Sequence, residues 1–291
     1  MHVGSRIQNA TTLLKVVLIL LFIIVGFGIS TPQEVSLSPS ARSWSEIISP
    51  PFAVALIYVS YAYTGWNSSI YIIGEMKNPQ RHLPKSLFLG TLVVMILYLL
   101  LNYVFLYTVP IPVLSGALEV GFLSGQAIFG SLGGSIIAIA ISVLLLSTVS
   151  AYVFLGPRVS KELGEDMSVF RFFAKTNAKG IPVNAFIFST LLSLIFIYSS
   201  TFEQVLLYTS FLLIFITTIT VAGVFLLRSK KKWESEGYKA WGYPFTPAIF
   251  IGVSLWTLVF VAIEQPFESG VSVGVLLLGI VFYFVSRDKK Q

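Results

Sequence analysis

The side chains with the most chemistry to offer lie together. Ser60, Tyr61, Tyr63, Thr64, Trp66, Asn67, Ser68 and Ser69 surround Gly65 in the run SYAYTGWNSS, at the centre of an otherwise apolar stretch. Polar groups at this density are costly in hydrocarbon unless each finds a partner or lines a cavity. A helix broken near Gly65, over about residues 62–66, would expose carbonyls at the end of its first half. The second half would begin with exposed N–H groups. Carbonyls suit an ammonium and the positive end of a half-helix suits a carboxylate, so such a break holds a small zwitterion. An unbroken helix with its polar face packed on neighbours is the alternative these residues leave open, because Ser, Thr and Gly are common at membrane helix contacts.

Lys15 is the second candidate, as the one basic residue inside the first apolar stretch. Buried, its ammonium would be destabilised, and an ionisable group within a span is a functional candidate. Near the end of the stretch it could instead extend its stem and reach the headgroups. Catalytic chemistry finds no support. Intramembrane hydrolases and acyltransferases need paired Asp, a Ser with a base, or His within the spans. Asp166 and Asp288 fall in loops, and His2 and His82 have neither a span nor a metal-ligand spacing. The reading is therefore not an enzyme, with no catalytic residue, no metal and no cofactor. With no Cys, this chain offers no thiol to a disulfide-linked accessory subunit.

These groups must be positioned by helices that sit in lipid. Of the 291 residues 55% are hydrophobic and 11% charged, with a mean hydropathy of +0.85. Soluble domains carry about 25% charged residues. A spanning helix needs about 20 apolar residues. Eight stretches qualify, approximately 8–30, 51–75, 85–109, 126–156, 183–200, 203–227, 245–263 and 270–286. The fourth is long enough to project from the membrane or include an interfacial turn, and glycines 125, 130, 133 and 134 suggest close packing there. Membrane barrel strands would alternate apolar and polar residues; these runs are continuously apolar. The expectation is an all-α membrane protein with one transmembrane domain over 1–291. The first stretch lacks a small-residue cleavage site and reads as a permanent helix.

Basic residues then fix the orientation. All of the 19 Lys and Arg except Lys15 and Arg42 fall at the N-terminus, at the C-terminus or in loops of one side. By the positive-inside rule that side is cytoplasmic, and both termini lie there, in the cytoplasmic membrane. The +6 net charge is thus spread over short inter-helix segments facing the lipid bilayer, which excludes a nucleic-acid partner.

The run YAYTGWNSSIYIIGEMKNPQRHLP resembles the sixth transmembrane helix and following loop of the amino acid–polyamine–organocation superfamily, above all its L-type amino-acid transporter branch. There an aromatic-Ala-Tyr-x-Gly-Trp run leads to a Glu-x-x-Asn-Pro-x-Arg-x-Leu-Pro loop, matched here by Glu75, Asn78, Pro79, Arg81, Leu83 and Pro84. GSRIQNATTLLKVVLILLFIIVGF is similar to the family's fifth helix, STVSAYVFLGPRVSKELGED to the end of the eighth, and IPVNAFIFSTLLSLIFIYSS and VAGVFLLR to the ninth and tenth. YKAWGYPFTP is similar to the approach to the eleventh. The resemblance implies a secondary transporter that moves amino acids by alternating access in a twelve-helix inverted-repeat fold. This chain would supply helices five to twelve and lack the first four, as an N-terminally truncated form. It also implies roles. Tyr61, Ala62 and Thr64 would offer carbonyls to the substrate ammonium and Gly65 would permit the break. Tyr61 would be an aromatic gate, with Tyr63 beside it, and Asn67 would take part in substrate recognition. Lys15 matches a fifth-helix Lys that stands where sodium-coupled relatives hold an ion. The alternatives are a non-transporting membrane fragment or regulatory subunit and, more remotely, a membrane-embedded enzyme.

Overall fold

The computed structural model describes residues 2–66, 69, 76, 78–178, 180–229 and 241–287. Among these the regular structure is entirely helical: α1 (His2–Phe27), α2 (Ser43–Ile47), α3 (Pro50–Ala62), α4 (Pro79–Thr108), α5 (Ile111–Leu114), α6 (Val120–Asp166), a 3₁₀ turn (Ser168–Phe173), α7 (Val183–Ser199), α8 (Phe202–Ser229), α9 (Phe245–Glu264) and α10 (Pro266–Arg287). Six helices contain stretches long and apolar enough to cross a bilayer: α1, α4, α6, α8, α9 and α10. Two expected spans are shorter as described, α3 with 13 residues and α7 with 17. Proline starts several of these helices without cost, because the first turn has N–H groups with no intrahelical acceptor. Pro50 and Pro51 open α3 and Pro266 opens α10.

The chain divides into two compact units, residues 1–38 with 88–155 and residues 39–87 with 156–291. In the first, Phe22 and Ile23 of α1 pack on Val104 of α4, with Ile128 and Ile137 of α6 against them. Gly26 lets the two helices approach, since a Cβ there would run into Val104 Cγ1. Phe22 and Phe105 meet edge to face at 5.9 Å. The Gln33 N–H donates to Tyr107 O at 2.8 Å where the chain leaves α1.

The expected turn in the fourth apolar stretch is a full reversal. Gly130 has φ 76° and ψ −175°, and residues 120–129 fold back along the helix that follows. A Cβ on Gly121 would lie 2.8 Å from Ile141, one on Gly125 3.0 Å from Ile137, and one on Gly134 3.0 Å from Gln126. The paired numbers run in opposite directions, as an antiparallel helical hairpin requires. The close packing anticipated from the glycines is here, within one element.

In the second unit Ala53 and Ile57 of α3, Leu207 and Phe211 of α8, and Leu258 and Val261 of α9 form the core. Tyr58 donates its hydroxyl to Glu203 Oε1 at 2.7 Å, tying α3 to the start of α8. Ser272 of α10 donates to Tyr208 O of α8 at 3.2 Å. Outside these cores the large aliphatic and aromatic side chains face outward, as along α10 from Val273 to Val285. In water such a surface would be an aggregation liability; in a bilayer it is the ordinary exterior of a spanning helix. The chain is an integral, multi-pass membrane protein.

Candidate substrate site

Helix α3 does not run through the polar cluster. Its last residue is Ala62, Tyr63 caps it at φ −95° and ψ 7°, and residues 63–65 form turns. Two features stop it. Gly65 adopts φ +102°, a conformation open to glycine and strained for L side chains. Thr64 closes the last turn, its N–H donating to Tyr61 O at 3.0 Å and its hydroxyl to the same oxygen at 2.7 Å. The Tyr63 N–H donates to Ser60 O at 3.2 Å. These tightened i→i+3 bonds are how a helix end satisfies its last carbonyls. An unbroken helix over 50–66 is ruled out. Whether a second half-helix follows depends on residues 67, 68 and 70–75, outside the described set; Asn67 and Glu75 lie there too.

The helix end opens on a cavity of about 480 Å³, a volume in the range of small-molecule sites. Ser60, Tyr61, Tyr63, Thr64 and Trp66 line it from the α3 side. The opposite walls come from α8, through Ser210, Leu213, Ile214 and Thr217, and from α9, through Phe250, Val253, Ser254 and Thr257. Spacings of three, four and seven residues put each set on one helix face. The described lining contains no charged side chain. Tyr61 and Trp66 are about half exposed, so the aromatic groups sit at the opening.

The structure therefore brings Tyr61, Tyr63 and Thr64 to one cavity, with Ala62 and Gly65 in the same turn. Lys15 belongs to the other compact unit. There its Nζ donates to Thr148 Oγ1 at 3.0 Å, and Thr148 in turn donates to Leu144 O at 3.2 Å. The ammonium is half-buried and aimed across at α6. No group of His, Cys, Asp and Glu that could hold a metal ion occurs among the described residues. Ser210, Ser254 and Thr257 do not stand out in the sequence. Their signal is thin: isolated hydroxyls on long apolar helices, where most such groups merely bond their own backbone.

The chain has a family match and known relatives. Residues 1–285 match the family described as amino acid permease. A serine/threonine exchanger of Bacillus subtilis is 27% identical over 298 residues, an alignment that takes in 99% of this chain and 65% of the exchanger. The b(0,+)-type amino acid transporter 1 of Mus musculus is 26% identical, over 98% of this chain and 58% of the transporter. The large neutral amino acids transporter small subunit 2 of Homo sapiens is 23% identical, over 97% of this chain and 53% of that protein. The chain thus spans between about half and two thirds of the length of these relatives.

Proposed function

The chain belongs to the amino acid permease family, and from that premise we propose that it carries the substrate-holding part of a secondary transporter that moves amino acids by alternating access. One observation carries the reading: the apolar helix α3 ends at Ala62, short of a full span, and its end faces a cavity large enough for an amino acid with no charged side chain in its described lining. The C-terminal end of a helix bears partial negative charge and favours a cation. A substrate ammonium would bind against the backbone of Tyr61, Ala62, Tyr63 and Thr64, with Gly65 allowing the turn and Tyr61 at the mouth as a gate. Asn67, outside the described residues, would add side-chain recognition.

Lys15 takes the place of a bound cation in this reading. Its hydrogen bond to Thr148 supports that role over an ammonium extended to the headgroups, because the donor is aimed at a neighbouring helix. A fixed positive charge linking α1 to α6 does without metal what an ion bound between two helices would do. The protein would reside in the cytoplasmic membrane, with both termini in the cytoplasm on the strength of the loop charges.

The test is uptake of labelled amino acids by proteoliposomes holding the full-length protein. Lys15→Ala should lower uptake at least tenfold. Lys161→Ala should leave it within twofold, since Lys161 makes only an exposed pair with Glu165 at 2.9 Å. Equal, near-normal uptake by both variants would remove Lys15 from the mechanism, and a wild type that carries no amino acid would overturn the reading itself.

A further inference from the structure

The α8 hydroxyls follow a rule that one of them breaks. Thr209, Thr217, Thr218 and Thr220 each donate to a carbonyl one turn back, at 2.8, 2.6, 2.6 and 2.8 Å. Ser210, on the same helix, does not. Its Oγ is buried, the residue is 1% exposed, and among the described residues it has no hydrogen-bond partner. A buried hydroxyl left unmet costs about 1–3 kcal/mol, so each such group calls for an explanation. Ser210 lines the cavity at the end of α3, and so do Ser254 and Thr257 of α9, both buried. Three hydroxyls from two helices thus share the wall across from the helix end.

The geometry points to Ser210, Ser254 and Thr257 as the group that reads the substrate side chain, selecting small neutral amino acids that bear a hydroxyl or comparable hydrogen-bonding group. The inference rests on the amino-acid reading above. A charged side chain would enter this wall with no counter-charge among the described lining residues and lose its hydration. A branched aliphatic one would fit Leu213, Ile214 and Val253 but leave Ser210 unmet. A hydroxyl both gives and accepts a hydrogen bond, and it satisfies Ser210 while its short stem rests on the aliphatic residues. Sites that hydrogen-bond a substrate hydroxyl discriminate strongly against the analogue that lacks it.

The experiment measures binding of L-serine, L-threonine, L-alanine and L-valine to the full-length protein in proteoliposomes, by competition with labelled L-serine. The wild type should prefer serine and threonine to alanine and valine by about tenfold or more. Ser210→Ala should lose about tenfold on serine while alanine affinity stays within twofold. Ser210→Cys, nearly the same size with a weak donor, should show the same selective loss if Ser210→Ala proves unstable. Thr257→Val should shift the serine-to-alanine ratio in the same direction, and Thr257→Ser should restore it. Equal affinity of the wild type for serine and alanine, or parallel loss on both in Ser210→Ala, overturns the side-chain assignment while leaving amino-acid transport intact. A wild type that binds no amino acid overturns both.

Discussion

Gly65 and Thr64 end α3 by different means, and the two can be separated. A Cβ built on Gly65 meets nothing within 4 Å among the described residues, so Gly65→Ala does not crowd the described lining of the cavity. What it adds is strain at φ +102°, of order 1–3 kcal/mol. The variant should therefore unfold earlier in a thermal scan and also bind substrate less well, because relief of the strain moves the carbonyls. Thr64→Val keeps the shape but removes the hydroxyl that donates to Tyr61 O. It leaves that oxygen with one donor, the Thr64 N–H, instead of two, and substrate binding measured by competition should hold or tighten by a few-fold; a tenfold loss would show that the hydroxyl itself touches substrate. Gly65 is legible in the sequence because a glycine among hydrogen-bonding residues in an apolar run has few explanations. Ser210 is not. Its neighbours in SFLL and ITTIT read as ordinary lipid-helix composition, and only the positions of partners distinguish one unmet hydroxyl from its satisfied neighbours.

Among the elements, α6 departs most from its sequence expectation. The apolar run 126–156 reads as a span that projects from the membrane or includes an interfacial turn, and the glycines there as close helix packing. The glycines do mark close contact, but between the two limbs of one hairpin, with Gly130 at the bend. Periodicity cannot show that the turn is a full reversal or where it falls, because both limbs are apolar. Only a backbone dihedral reveals a reversal. Gly125→Val would push a side chain into Ile137, which already lies 3.0 Å from where the first added carbon would sit, and should destabilise the protein by about 1–3 kcal/mol. Gly156→Val, in the same helix with open space around it, should change the melting temperature in detergent far less. Equal effects from the two would mean that the hairpin does not pack as described. The end of α3 is the more legible feature, since its stop depends on local turn chemistry that the sequence spells out.

For the whole molecule, the sidedness of the loops is the expectation with the widest reach. A reporter fused after Gln291 should be active only in the cytoplasm, and one inserted after Gly116 only on the outer face; the reverse pattern would invert the topology. The outcome depends on α6 in a way the charges alone do not reveal. Residues 120–129 make a limb about 15 Å long at 1.5 Å per residue, half of the roughly 30 Å hydrocarbon core. The limb cannot cross, and it lies antiparallel along the first turns of the helix that follows Gly130, so the two together make one crossing. It therefore adds nothing to the parity of crossings. Had it counted as one, every later loop would change sides, and Arg158, Arg171 and Arg228 would part company with Arg81 and Lys85. The shortness of the limb thus leaves the expected sidedness of the basic loops unchanged, and lengthening it to a full span would turn the C-terminal half of the protein inside out.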